Sequence, residues 1–210
     1  TGNIAKGPAM TREECLRAIE TGICLAEEAR RDGIQLIITG EMGIGNTTSS
    51  SAVASLLLQR PLEEVTAKGA GTAERVAHKV AVLKQAVALN KPNAGDAVDI
   101  LSKVGGLDMA AMCGVYIGCA ACGMAVMIDG VISSAAALCA ARLAPAALPY
   151  MFPSHCSAEP AGRLLLEAMG FTPLITAGMC LGEGTGGALG ASLLDAALAA
   201  YEEVVRIDEI

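Results

Sequence analysis

Hydrophobic positions along the chain alternate between helix-like spacing and short apolar runs that stop at glycine. Thr11 to Glu14 has the pattern of a capping box, and Cys15 to Arg31 has the spacing of an amphipathic helix. After Gly33, the run from Ile34 to Ile38 predicts a short buried strand, followed by a glycine-rich loop and a helix that ends near Leu58. The first unit is therefore strand, glycine loop and helix.

The same unit is predicted twice more. Ala125 to Ile128 predicts a strand, followed by Asp129, Gly130 and a helix from about Ser133 to Leu143. Three such units favour one α/β domain over residues 1–210, with a mostly parallel sheet flanked by helices and with ligands bound at the carboxyl ends of the strands. The remaining predicted elements are a strand at Pro173 to Thr176 and helices at Glu74 to Asn90, Asp96 to Ser102 and about Ala188 to Arg206.

The segment from Met109 to Ile128 carries no charged residue and contains two glycines at the spacing seen in membrane helix pairs, Gly114 and Gly118. It has no aromatic belt and no basic flank, and Gly123 divides it into a helix-like half and a short apolar run. A buried helix followed by a buried strand explains this pattern better than a membrane span.

Composition narrows the possible partners. Only 2% of the residues are aromatic and the formal net charge is −7, so base-stacking platforms and an extended basic surface for nucleic acid are not expected. Any bound phosphate is expected to be small and held locally. The 24 glycines and the abundant alanines predict a core of small, closely packed side chains.

Eight cysteines are scattered among apolar neighbours and do not frame short loops, which favours a reducing cytoplasm. Cys119 and Cys122 form a C-x-x-C pair with no second pair after it, so buried thiols are a better interpretation than a zinc or redox site. No signal peptide pattern precedes residue 20, and no membrane association is expected.

The first glycine loop, residues 40–48, places three glycines beside a helix start, where backbone N–H groups can approach an anion. It lacks the Gly-Lys-Ser/Thr ending of a Walker loop and the third glycine of a dinucleotide fingerprint. A tight turn explains the glycines equally well, but it does not explain the acidic residue Glu41 inside the loop.

Residues 182–187 place Glu183 between two glycines at a helix start. Such a carboxylate is accessible from both sides. Desolvation by the apolar lead-in from Ile175 to Leu181 would make it a stronger base, whereas the helix N-terminus would favour its charged form. The alternative is an acid that only stabilises the helix dipole.

Two further loops carry polar groups. Lys68 to Gly71 is a glycine loop with Lys79 nearby, which indicates either a phosphate contact or a solvated basic edge. Residues 154–160 collect one histidine, two serines and an acid, but no nucleophile elbow is present, so a hydrolytic triad is not favoured. Helix capping is the ordinary role of Ser157 in this loop.

Five motifs together resemble one family. They are residues 40–48, residues 103–106 with the alanine-rich helix after them, residues 128–138, residues 154–160 and residues 181–186. In this order they resemble the motifs of nicotinate-nucleotide:dimethylbenzimidazole phosphoribosyltransferases. The resemblance covers nearly the whole chain.

The resemblance implies transfer of a 5-phosphoribosyl group from nicotinate mononucleotide to a ring nitrogen of 5,6-dimethylbenzimidazole or a related base. Inversion at C1′ would give alpha-ribazole 5′-phosphate, a cobamide precursor, and release nicotinate. The resemblance further implies a Rossmann-like core, a homodimer, and no metal or other cofactor.

By motif position, the resemblance implies that Glu183 is the general base and that Glu41 is a second catalytic residue. The loop from Glu41 to Thr48 would lie against the ribose and phosphate. The residues that would bind substrate are Gly43, Gly45, Asn46, Thr47, Gly69, Lys79, Asp129, Ser157, Ala158, Leu181 and Gly182.

Two other hypotheses compete with this function. Family members have an additional N-terminal part that forms much of the wall around the benzimidazole, so the chain could be a nucleotide- or base-binding module that is inactive alone or needs a separate partner chain. A dehydrogenase-like nucleotide fold is disfavoured, because no acidic residue lies about 20 residues beyond the first glycine loop in a strand context.

Overall fold

The computed structural model describes residues 1–68 and 72–204 and has an α/β fold. Within those ranges the strands are β1 (Leu36–Ile38), β2 (Ala125–Ile128) and β3 (Met151–Pro153), and a 3-10 helix covers Pro145–Tyr150. The α-helices are α1 (Arg12–Arg31), α2 (Asn46–Leu58), α3 (Leu62–Val65), α4 (Ala73–Asn90), α5 (Ala97–Val104), α6 (Leu107–Ala121), α7 (Val131–Leu143), α8 (Ala161–Ala168) and α9 (Thr185–Glu203).

The predicted α/β class is confirmed: the three strands form one parallel sheet in the order β1, β2, β3. Side chains alternate between its two faces. Val126 and Ile128 belong to the main hydrophobic core, whereas Met127 lies on the opposite face beneath α9. Two glycines of α9, Gly187 and Gly190, face the strands, so the helix backbone lies close to the sheet.

The third strand was predicted in the wrong place. Residues 173–176 contribute only an isolated bridge between Ile175 and His155, and the strand of the sheet is Met151–Pro153. Pro173 has no N–H to donate to a ladder, which limits this segment to a peripheral position. The true strand is three residues long and follows a 3-10 helix that contains Pro149, so it has no periodicity to detect.

Several predicted elements are confirmed close to their expected bounds. Thr11 Oγ1 accepts the N–H of Glu14 and the Glu14 carboxylate accepts the N–H of Thr11, so the capping box starts α1. The helices α2, α4 and α7 end where the sequence predicts. The helix α9 begins at Thr185, three residues before the predicted start, and the predicted end at Arg206 lies outside the described residues.

The predicted buried helix and strand within residues 109–128 are α6 and β2, separated by Gly123 in the left-handed region at φ 64°. The two glycines of α6, Gly114 and Gly118, lie where this helix packs against α1. A Cβ on Gly114 would lie 1.9 Å from the carbonyl oxygen of Ile19, and one on Gly22 would lie 2.0 Å from that of Ala111. Backbone-to-backbone contact therefore explains this pattern. In the described part of the chain, no helix combines the length and apolarity that crossing a membrane requires.

Candidate active site

The loops after the three strands meet the loop before α9 at one edge of the sheet. Together they enclose a cleft of about 290 Å³. The predicted site residues that line it are Glu41, Gly43, Thr47, Ser157, Leu181, Gly182 and Glu183. Gly45 and Asn46 line a second cavity of about 620 Å³, which shares Ile44 with the cleft.

Asp129 lies behind the cleft and is only 1% exposed. Its Oδ2 accepts the N–H of Gly184 at 3.1 Å and its Oδ1 accepts the N–H of Gly187 at 2.9 Å. Gly184 is the N-cap of α9 and has no side chain to cap it. A carboxylate from the end of β2 thus accepts two of the N–H groups at the start of α9 and interacts favourably with the helix dipole.

Glu183 has a left-handed backbone, with φ 61°, at the junction between the loop and α9. This conformation is strained for a residue other than glycine, and contacts on both sides hold it. The N–H of Glu183 donates to the carbonyl oxygen of Glu41 at 2.8 Å. The two loops approach so closely that a Cβ on Gly40 would lie 2.5 Å from the nitrogen of Gly184.

The expected desolvation of Glu183 is wrong. Glu183 is exposed, and Leu181 in its lead-in is 62% exposed. The apolar run does not fold over the carboxylate, because the residues before it form an open loop and not a strand in the sheet. In this structure, Glu183 is a solvent-accessible carboxylate at the mouth of the cleft.

The Glu41 carboxylate is held by the side chain of Asn46. Asn46 Nδ2 donates to Glu41 Oε2 at 2.7 Å and to Asp108 Oδ2 at 2.9 Å. Asn46 Oδ1 is buried and has no hydrogen-bond partner among the described residues. Sequence reasoning missed Asp108, because it lies 62 residues away from Asn46 and outside the glycine loops.

Lys79 extends from α4 toward the start of α2. Its Nζ donates to the Ala67 carbonyl oxygen at 2.9 Å and to Thr47 Oγ1 at 3.3 Å. Burial lowers the pKa of Lys79, and the nearby Glu159 carboxylate opposes that shift. Lys79 therefore brings a partly desolvated cation to a residue that lines the cleft. Gly69, the other predicted phosphate contact, lies outside the described residues.

Ser157 is 8% exposed and lines the cleft, but it does not cap a helix as predicted. Its Oγ accepts the N–H of Glu159 at 3.3 Å, and α8 begins only after Pro160. The capping prediction failed because the chain makes a local turn before α8 starts. Ala158 is exposed and donates its N–H to the carbonyl oxygen of Met179.

Ser154, His155 and Asp129 lie together but have no access to a substrate. Ser154 Oγ donates its one proton to the Ile128 carbonyl oxygen at 2.6 Å, so it accepts from His155 Nδ1 at 3.0 Å. His155 Nε2 is buried without a partner in the described part of the chain. All three residues are at most 1% exposed, which argues against a hydrolytic triad. Among the described residues, no group of three or more His, Cys, Asp or Glu side chains could hold a metal ion.

Comparison with known proteins assigns the family. The phosphoribosyltransferase family model DBI_PRT matches residues 1–210. The chain belongs to this family. A nicotinate-nucleotide–dimethylbenzimidazole phosphoribosyltransferase of Acetivibrio thermocellus is 48% identical over 210 residues, which cover all of this chain and 60% of the relative. The enzyme of the same name from Geobacter sulfurreducens is 46% identical over the same shares of both chains.

The fold agrees with this phosphoribosyltransferase family. A crystal structure of nicotinate-nucleotide-dimethylbenzimidazole phosphoribosyltransferase from Thermus thermophilus superposes with a TM-score of 0.90 at 37% identity. The superposition covers all of this chain and 62% of the chain in that structure. The chain thus spans about 60% of the length of the curated relatives it matches.

Removing the Asp129 carboxylate is expected to destabilise the protein strongly. Asp129→Ala leaves two N–H groups of α9 unpaired, and we expect a loss of about 2 to 5 kcal/mol in the free energy of unfolding, measured with urea. Asp96→Ala is the matched control, because Asp96 caps α5 through two N–H groups but its side chain is 33% exposed. It should cost about 1 kcal/mol. Equal losses in the two variants would contradict the capping role of Asp129.

Acidification is expected to destabilise the protein through His155. Burial lowers the pKa of His155 from its ordinary value of 6.5, and the Asp129 carboxylate opposes this shift. The unfolded chain therefore takes up the proton first, so this contribution is present above pH 6.5 and is lost as the pH falls toward the folded-state pKa. Urea titrations between about pH 7.5 and 5 should give a smaller pH dependence for His155→Asn. His78→Asn, at an exposed position on α4, should retain the wild-type dependence.

Proposed function

We propose that this chain transfers the 5-phosphoribosyl group of nicotinate mononucleotide to 5,6-dimethylbenzimidazole or a related base, in cobamide synthesis. The observation that carries the proposal is the meeting of the Glu41 and Glu183 carboxylates with one partly buried cation at a single cleft, which Glu159 also lines. Glu41 and Glu183 line the cleft, and Lys79 is hydrogen-bonded to its wall at Thr47. The names of the relatives support the same reaction.

The chemistry needs a site that aligns two flat rings with C1′ of the ribose. The glycosidic nitrogen of nicotinate mononucleotide is positively charged, so cleavage of its bond to C1′ returns an electron pair to the ring. The bond from the incoming imidazole nitrogen forms on the opposite face of C1′, with inversion. Proximity and alignment within the cleft would supply much of the acceleration.

Glu183 is the proposed acceptor of the proton that the attacking imidazole loses. Its exposed carboxylate lies at the mouth of the cleft, and its backbone is fixed by the hydrogen bond to the Glu41 carbonyl oxygen and by the Asp129 cap on α9. A base held in this way can abstract the proton as the new bond forms. Its exposure then lets the proton pass to solvent after each turnover.

The phosphate is proposed to bind near the start of α2. Residues 43–49 supply glycine N–H groups, hydroxyl groups and a helix N-terminus, all of which favour an anion. Lys79 adds the positive charge. Its bonds to the Ala67 carbonyl oxygen and to Thr47 Oγ1 hold the ammonium group beside the start of α2.

The acceptor base is proposed to bind against the apolar rim of the cleft. Met42, Ile44 and Leu181 are 69%, 82% and 62% exposed, and all three line the cleft. A flat aromatic ring would cover this surface and gain hydrophobic stabilisation.

We also propose a cytoplasmic homodimer. All eight cysteines are free thiols, in agreement with a reducing compartment. The helix α9 exposes Leu189, Leu193 and Leu198 to about half of their surface, and this apolar area supports burial of the helix in an assembly. Analytical ultracentrifugation distinguishes a homodimer from a monomer.

Glu183→Gln is expected to lower turnover roughly 100-fold or more, because the amide cannot accept the proton. Chromatography of reactions with nicotinate mononucleotide and dimethylbenzimidazole measures both products, nicotinate and the ribotide alpha-ribazole 5′-phosphate. Glu20→Gln, an isosteric change at an exposed position on α1, serves as the control. Turnover of Glu183→Gln within a few fold of wild type would rule out the general-base role. Nucleotide binding by the wild-type chain without turnover would instead favour a binding module.

Lys79→Ala is expected to weaken binding of nicotinate mononucleotide about 10- to 100-fold, since a charged hydrogen bond to phosphate contributes about 1.5 to 3 kcal/mol. Isothermal titration calorimetry measures the dissociation constant. Lys84→Ala removes the same charge from α4 at an exposed site where the lysine pairs with Glu63, so affinity should be unchanged. An unchanged constant for Lys79→Ala would place the phosphate elsewhere.

A further inference from the structure

The amide of Asn46 connects two carboxylates from distant parts of the chain. Its two Nδ2 protons are both used, one on Glu41 Oε2 at 2.7 Å and one on Asp108 Oδ2 at 2.9 Å. An amide nitrogen has no third proton to offer, so the two acceptors together define the plane of the Asn46 side chain. If either carboxylate moved, the orientation of the Asn46 amide would no longer be fixed.

Asp108 is itself held in place at the start of α6. It belongs to the first turn of this helix, where a carboxylate is favoured by the helix dipole. Its side chain folds back over Gly106, since a Cβ on that glycine would lie 2.4 Å from Asp108 Oδ1. The helix α6 packs against α1 through backbone contacts, so Asp108 is attached to a rigid part of the core.

Glu41, in contrast, lies in a loop with little regular structure. Gly43 and Gly45, which follow it, both have positive φ, at 78° and 83°. The Glu41 carbonyl oxygen accepts the Glu183 N–H, and its carboxylate accepts from Asn46. The orientation of Glu41 therefore depends on the loop before α9, through Glu183, and on the first residue of α2, Asn46.

We propose that Asp108 is a positioning residue, which acts through Asn46 to hold the Glu41 carboxylate at the cleft. This inference rests on the proposed phosphoribosyl transfer, in which Glu41 lies against the substrate. Asp108 does not line the cleft, and it borders the second cavity on the other side of Asn46. Its effect on the reaction is thus indirect and passes through a single amide group.

A purely structural role for Asp108, stabilising the dipole of α6, makes different predictions. In that case, loss of the carboxylate would lower stability and leave the Asn46 and Glu41 side chains in place. The positioning role requires Asp108 and Glu41 to act as one unit, so that the effects of their substitutions do not add.

The first measurement follows the side-chain NH2 signals of Asn46 by NMR, assigned through their loss in Asn46→Asp. Asp108→Ala should shift one of the two proton signals upfield, because that proton loses its carboxylate acceptor. Glu13→Ala is the matched control: Glu13 is an exposed acid in the first turn of α1, and its removal should leave the Asn46 signals unchanged. Unchanged Asn46 signals in Asp108→Ala would overturn the inference.

The second measurement is kinetic. Asp108→Ala should lower kcat/KM roughly 10- to 100-fold, as expected when a reacting group is misplaced by a distant substitution. Asp108→Asn should recover most of this loss, because its amide oxygen can still accept from Asn46. The Asp108→Ala, Glu41→Ala double variant should be no slower than Glu41→Ala alone. Losses that multiply in the double variant would overturn the positioning role.

The two measurements also separate this inference from the proposed function. If the wild-type chain forms no ribotide while the Asn46 signal shifts as expected in Asp108→Ala, the proposed function fails and the hydrogen-bonded unit is supported. If ribotide forms and Asp108→Ala changes neither the NMR signals nor the kinetics, the proposed function holds and the inference fails.

Discussion

The buried carboxylate of Asp129 is the interaction on which the site depends. It accepts the N–H groups of Gly184 and Gly187, and so joins the end of β2 to the start of α9. A helix that begins with glycines has no local side-chain cap, and its first N–H groups would otherwise be unpaired. The same bonds fix the loop that carries Glu183. One aspartate thereby couples the stability of the last helix to the geometry of the cleft.

The cleft is assembled mainly from backbone contacts between loops. The Glu183 N–H bonds to the Glu41 carbonyl oxygen, and Gly40 allows the two loops to lie against each other. Side-chain hydrogen bonds then hold the charged groups, from Asn46 to the Glu41 carboxylate and from Lys79 to Thr47. Small residues make this possible, because a backbone can approach another backbone only where no side chain intervenes.

Much of the fold is encoded locally and could be predicted. The capping box at Thr11 sets the start of α1, and glycine or proline limits most of the predicted helices. The candidate loops were recognisable because several glycines surround an acid at a predicted helix start, where backbone N–H groups can approach an anion. The position of β3 was not predictable, since three apolar residues after a 3-10 helix have no periodic pattern. The same limit applies to α3 and α8, which are only 4 and 8 residues long.

The sequence alone determined the α/β class, the order of the motifs and the residue types available for chemistry, because these follow from periodicity and local spacing. Tertiary structure alone decided the roles of individual side chains. Asp129 is a buried cap, Ser157 belongs to a turn, and Asp108 reaches Asn46 from 62 positions away. Hydrogen bonds over such distances depend on how helices and strands pack, and no local pattern in the chain records them.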